Sequence, residues 1–156
     1  MGKEIERKFL IKELPANLEE YKYHELEQGY LNTAPVVRVR KEDDDYYLTY
    51  KGKGFMEREE YNLPLTEESF NHLIKIADGI VIEMTRHYLP LSGKDEGLTV
   101  ELDVFSGELS GLIIAEVEFP SEEAAKAFTP LPWFGEEKTY DSAYHNSTLS
   151  REGLPK

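Results

Sequence analysis

The feature that most constrains this chain is a recurring pair of like charges separated by one apolar residue. It occurs as Glu4-Ile5-Glu6, Arg38-Val39-Arg40, Glu101-Leu102-Asp103 and Glu116-Val117-Glu118. Successive side chains of an extended strand point to opposite faces, so residues two apart are neighbours on one face. Each segment therefore sets two like charges side by side and keeps an apolar residue for the other face. A solvated sheet face ordinarily mixes signs and adds Ser, Thr and Gln, whereas adjacent like charges repel. A shared counter-ion accounts for such pairs better than water does.

Period-two alternation and turn residues mark eight strand-like stretches, roughly 3–12, 22–32, 36–42, 45–51, 57–63, 79–90, 97–105 and 112–119. Asp43–Asp45 and Gly52–Gly54 read as hairpin turns. Thr66 caps a helix running to about Ala77, with Glu67 and Glu68 in its first turn and Phe70, Leu73, Ile74 and Ala77 on one face. Ser121 caps a second helix to about Phe128, and a last helical turn is expected near Asp141–Leu149. There is no repeat, no low-complexity tract and no long linker, so residues 1–156 are expected to form a single domain. The expected fold class is α+β: an eight-stranded antiparallel β-barrel with helices packed outside. Helices need an apolar surface to cover. If they cover the apolar strand faces, the charged faces point inward and line a lumen.

By strand parity Glu4, Glu6 and Lys8 share a face, as do Arg38 with Arg40, Thr49 with Lys51, and Arg58 with Glu60 and Asn62. Glu101 and Asp103 form another such set, and Glu116 and Glu118 another. Arg and Lys bind phosphate oxygens by charge-assisted hydrogen bonds. Carboxylates hold hard divalent cations such as Mg2+ or Mn2+. Neither set is stable buried alone, whereas metal and polyphosphate together neutralise both. The net charge of -13 argues against general nucleic-acid binding but not against a small polyanion in one cationic cavity. The absence of cysteine excludes disulfides, thiolate metal sites and a Cys nucleophile. No apolar run reaches membrane-spanning length and Met1–Leu10 is charged throughout, so a cytoplasmic protein without membrane attachment is expected.

The stretch Glu4-Ile5-Glu6-Arg7-Lys8-Phe9-Leu10 resembles the Glu-x-Glu-x-Lys signature of the CYTH superfamily, the triphosphate tunnel metalloenzymes. The resemblance continues through Gln28-Gly29-Tyr30-Leu31, Arg38-Val39-Arg40, the Lys51 strand, Glu101-Leu102-Asp103-Val104-Phe105, Glu116-Val117-Glu118-Phe119 and Pro132-Trp133-Phe134-Gly135-Glu136-Glu137. It covers nearly the whole chain and is nearest to the small bacterial inorganic tripolyphosphatases. It implies a metal-dependent tunnel opening at both ends, which hydrolyses tripolyphosphate and, more weakly, nucleoside triphosphates. Lys8, Arg38, Arg40, Lys51, Arg86 and more weakly Arg58 would hold the triphosphate. The metal would be held from among Glu4, Glu6, Glu60, Glu101, Asp103, Glu116 and Glu118, and Tyr30 stands where some relatives place a water-activating tyrosine. A small-molecule triphosphate is the expected partner, and a homodimer is compatible with the pattern.

Three positions depart from the family pattern. Met84-Thr85-Arg86 replaces Lys-Thr-Arg, Ala143 replaces an arginine, and Asn62 stands where relatives often have Glu. The Tyr–Lys dyad of those relatives cannot operate without its lysine. A tunnel that binds polyphosphate or nucleotide with weak or no turnover is therefore the rival reading. Adenylate cyclase and thiamine triphosphatase, both found in the superfamily, are enzymatic alternatives. Lys51-Gly52-Lys53-Gly54 lacks the strand–loop–helix setting of a P-loop and reads as a hairpin turn. His24, His72, His87 and His145 lack metal-ligand spacing and read as incidental. Trp133 and Phe134 read as packing anchors.

Overall fold

The computed structural model describes residues 2–155. Its strands are β1 (Gly2–Ile11), β2 (Lys22–Thr33), β3 (Val36–Glu42), β4 (Asp45–Lys51), β5 (Glu57–Pro64), β6 (Asp78–Pro90), β7 (Thr99–Ser106), β8 (Ile113–Glu118) and β9 (Phe134–Glu137). Its α-helices are α1 (Glu67–Ile74), α2 (Glu122–Ala127) and α3 (Asn146–Glu152). The sheet runs β5-β4-β3-β2-β6-β7-β8-β1 with antiparallel pairing throughout, and β1 pairs with β5 to close an eight-stranded barrel. The α+β barrel read from the alternation is thus the observed architecture. The ninth strand, β9, was not anticipated. It is four residues long and pairs with the far end of β1. Among the described residues, no helix is long and apolar enough to cross a membrane.

Both expected caps are formed. The Thr66 hydroxyl accepts from the Ser69 amide and the Ser121 hydroxyl accepts from the Ala124 amide, with glutamates in each first turn. α1 stops at Ile74, and the Ile76 and Ala77 amides bond back three residues in a tighter turn. Gly29 explains how closely this segment sits on β2. A Cβ there would lie 2.7 Å from Ile74 Cδ1 and 2.8 Å from the Ala77 Cβ, so only glycine lets the two approach.

Two apolar clusters divide the barrel wall between them. Phe9, Leu89, Val100, Leu102, Ala115 and Val117 occupy the outward faces and pack with Phe128 and Phe134, under α2 and β9. Leu26, Ile82, Met84, Phe105 and Ile114 lie on the same strand faces as Gln28, Arg86, Asp103 and Glu116, so this second cluster is inside the barrel. Leu149 of α3 is fully buried within it. The inward faces thus change from charged to apolar along their length. The expected tunnel opening at both ends is replaced by one whose far end is filled by side chains and α3.

Candidate active site

Strand parity delivers most of the expected residues to one cavity of about 170 Å3. Its wall contains Lys8, Arg38, Arg40, Lys51, Arg58 and Arg86 together with Glu4, Glu6, Glu60, Glu101, Glu116 and Glu118, six cations and six carboxylates. Cross-strand register fixes their order. Glu6 faces Glu118, Lys8 faces Glu116, Glu101 faces Glu116, and Lys51 faces Glu60. The outward parity of Arg7 also holds, since it pairs with Glu137 of β9 at 2.8 Å.

The carboxylates fall into two kinds. Some are already spoken for by cations. Lys51 Nζ lies 2.9 Å from Glu4 and 3.5 Å from Glu60. Burial raises the Glu4 carboxyl, but Lys51 outweighs burial and holds it below its ordinary value. Asp103 is completely buried and takes two hydrogen bonds from Arg86, at 2.7 and 2.9 Å. Asp103 is not among the cavity-wall residues; it stands behind Arg86 and fixes that guanidinium in place.

The others are pressed against each other. Burial, then the charges of Glu116 and Glu4, push Glu6 well above the carboxylate range. Burial also raises Glu116, but Lys8, the hydrogen bond shared with Glu6, and Arg86 outweigh it and hold Glu116 well below its ordinary value. The two carboxyls are thus pushed in opposite directions, Glu6 up and Glu116 down, by their burial side by side. Glu118 is pushed up to about 7 by burial and by Glu4, Glu101 and Glu60. Among the described residues, no three acidic or histidine side chains converge tightly enough to hold a metal ion as they stand. The donor set nevertheless suits one. It is all carboxylate oxygen, and the repulsion between the neighbouring Glu6, Glu116 and Glu118 is of the kind a hard cation relieves.

The cations divide in the same way. Lys51 and Arg86 have acidic partners. Among the described residues, Lys8, Arg38, Arg40 and Arg58 form no ion pair. Lys8 Nζ donates to the Tyr144 carbonyl at 2.9 Å, Arg58 to the Gly52 carbonyl at 3.1 Å, and Arg40 Nε to Gln28 at 2.7 Å. Arg38 is only 5% exposed and its buried Nε has no partner; Gln28 Nε2 is likewise unsatisfied. Burial, then Arg38 and Arg86, pull Arg40 down to about 9, a measure of uncompensated repulsion among cations that remain charged. Unsatisfied buried donors are costly, and that of Arg38 belongs to a side chain lining the cavity.

Tyr30 is 2% exposed and lines the cavity beside Arg38, its cross-strand partner on β3. Met84, at the departure from Lys-Thr-Arg, is buried in the interior apolar cluster that also includes Tyr30. Ala143 lies away from the charged cavity, and Asn62 lines it, accepting from Thr49 and contacting Glu60 at 3.5 Å. Sequence reasoning missed His145, Asn146 and Ser147, which close the cavity from the C-terminal segment. They belong to no strand, so alternation gave no signal for them.

Comparison with known proteins agrees with this geometry. Residues 2–142 match the CYTH domain. An inorganic triphosphatase of Nitrosomonas europaea is 43% identical over 151 residues, spanning 94% of this chain and 96% of that protein. One of Acetivibrio thermocellus is 39% identical over 155 residues, spanning 96% and 94%. A solved structure of an inorganic triphosphatase superposes with a TM-score of 0.71 at 40% identity, covering 98% of this chain and 97% of its own. With a closed eight-stranded barrel, a charged interior and matches of this extent, the chain belongs to the CYTH domain family.

Proposed function

We propose that this chain is a metal-dependent phosphohydrolase that cuts inorganic tripolyphosphate inside the barrel and releases phosphate, with weaker action on nucleoside triphosphates. One observation carries the reading: Lys8, Arg38, Arg40 and Arg58 line a single cavity without ion-pair partners among the described residues, in the same wall as the carboxyl groups of Glu6, Glu116 and Glu118. The two relatives named inorganic triphosphatases support the same substrate class. A cytoplasmic location fits a substrate of this kind.

In this reading the unpaired cations align the phosphate chain, and Arg38 Nε gains the acceptor it lacks. Arg86, braced by Asp103, and Lys51, held between Glu4 and Glu60, keep fixed positions along the chain. Glu4, Glu6, Glu116 and Glu118 would hold a divalent cation, Mg2+ or Mn2+, with Glu60 and Glu101 as further donors. Such a cation supplies charge neutralisation and Lewis acidity toward phosphoryl oxygen. Most of the acceleration comes from positioning and fixed charge, since phosphoryl transfer asks little covalent chemistry of a protein. Tyr30 is placed to orient water or a phosphoryl oxygen, without the lysine neighbour that Met84 replaces.

Met84 in an apolar cluster beside Tyr30 also favours a second reading, a tunnel that binds triphosphate without efficient turnover. The deciding experiment measures phosphate and pyrophosphate release from tripolyphosphate and ATP, with Mg2+, Mn2+ or chelator, alongside Arg40→Ala. Metal-dependent phosphate release that disappears in the variant is the expected result. Tight metal-dependent binding without release would replace the hydrolase with the binding module. Pyrophosphate release from ATP with cyclic AMP as the co-product would make the reaction a cyclisation.

A further inference from the structure

We propose that His145 is a further triphosphate-contacting residue, placed at the Lys8 and Arg58 end of the cavity. This rests on the triphosphatase reading and adds to it a residue outside the strand motifs. Of the four histidines, His145 alone lines the charged cavity, and it also lines an adjoining recess with Glu6, Lys8, Phe55, Arg58 and Thr139. Its backbone is pinned. The Tyr144 carbonyl accepts from Lys8 Nζ at 2.9 Å, and the His145 carbonyl accepts from the Thr148 and Leu149 amides. Its ring is steadied by Phe55, with centroids 5.4 Å apart. An imidazole so held presents a hydrogen-bond donor to any anion that Lys8 and Arg58 attract.

The charges around the ring explain why histidine suits this position. Lys8 and Glu6 face it from β1, Lys51 from β4, Arg58 from β5, and Glu116 from β8. Burial first, then Lys8, Arg58 and Lys51, pull it down to about 4. In the empty cavity it is therefore neutral near pH 7 and adds nothing to the repulsion among the cations. A bound polyanion cancels that repulsion, and the neutral ring meets it as a hydrogen-bond donor. Lysine or arginine at this position would carry its charge at all times.

The test compares His145→Ala and His145→Gln with the wild-type protein in tripolyphosphate hydrolysis and in calorimetric binding of tripolyphosphate. Alanine is expected to raise KM about tenfold with kcat within about twofold, the usual effect of losing one hydrogen bond to a charged group. Glutamine, a donor that cannot be protonated, should recover part of the KM. Calorimetric affinity for tripolyphosphate should follow the same order, wild type above glutamine and glutamine above alanine. A KM within twofold of wild type in both variants would overturn the proposal. So would a joint fall of kcat, affinity and thermal stability that glutamine does not rescue, which would make the ring a packing element. If wild-type protein neither binds nor cuts tripolyphosphate, the triphosphatase reading itself fails, and this inference with it.

Discussion

At the scale of single residues, the cavity trades stability for readiness. Arg38 is buried with an unsatisfied Nε and no ion pair among the described residues, so it burdens the folded protein until an anion arrives. Arg38→Met is expected to stabilise the ligand-free protein by about 1 kcal/mol and to weaken tripolyphosphate binding roughly a hundredfold. Chemical denaturation and calorimetry on one preparation check both halves; a destabilised variant would mean that Arg38 already has a stabilising partner. His145 makes a related statement about pH. Its folded value of about 4 lies below the ordinary 6.5, so below pH 6.5 the unfolded chain binds the proton that the folded one refuses. This contribution disfavours folding progressively from pH 6.5 down to about 4 and is absent above that window. His145→Gln should therefore lose less stability than wild type between those limits, read from denaturation midpoints without ligand. Alternation made the strand residues legible, and it correctly turned Arg7 outward and Glu4, Glu6 and Lys8 inward. It could not reveal that Asp103, with inward parity, stands behind Arg86 rather than at the cavity surface, because parity gives a face and not a depth.

At the scale of elements, the caps, hairpins and eight barrel strands were readable because each leaves a local trace of period, turn residue or capping hydroxyl. β9 left none. Four residues are too few for a period, and its partner β1 is more than 120 positions away, at Phe9 and Ile11. The apolar half of the interior was hidden for a different reason. Met84 and Phe105 share the parity of Arg86 and Asp103, so alternation turns them inward, and only the closed barrel shows where along its length the interior changes from charged to apolar. The seat of α3 depends on Gly79, which has φ +71°; a Cβ there would fall 2.2 Å from the Ser150 carbonyl oxygen. Gly79→Ala combines a left-handed backbone with a clash against main chain, and should cost on the order of 2 kcal/mol. Hydrogen exchange provides the check. The α3 amides should lose protection while those of β7 and β8 keep it, and an unaltered α3 would show that the contact is dispensable.

At the scale of the whole molecule, a cavity wall with six basic and six acidic side chains lies inside a protein of net charge -13. A free polyanion approaching from solution meets repulsion first and cations only at close range. Screening reaches down to about 10 Å at 0.1 M salt, so added KCl should speed association rather than slow it, as stopped-flow measurement would register. A rate that falls with salt would mean that the cations at the mouth govern the long-range field. The filled end of the barrel bears on a longer ligand. A linear polyphosphate cannot thread past Leu149 and its apolar neighbours, so only a chain terminus can reach the carboxylates. Degradation would then proceed from the ends, shedding single phosphates while the remaining chains shorten step by step. A gel of partly digested polyphosphate would display a downward-sliding band, whereas a broad smear of internal fragments would require a passage through the barrel that α3 currently occupies.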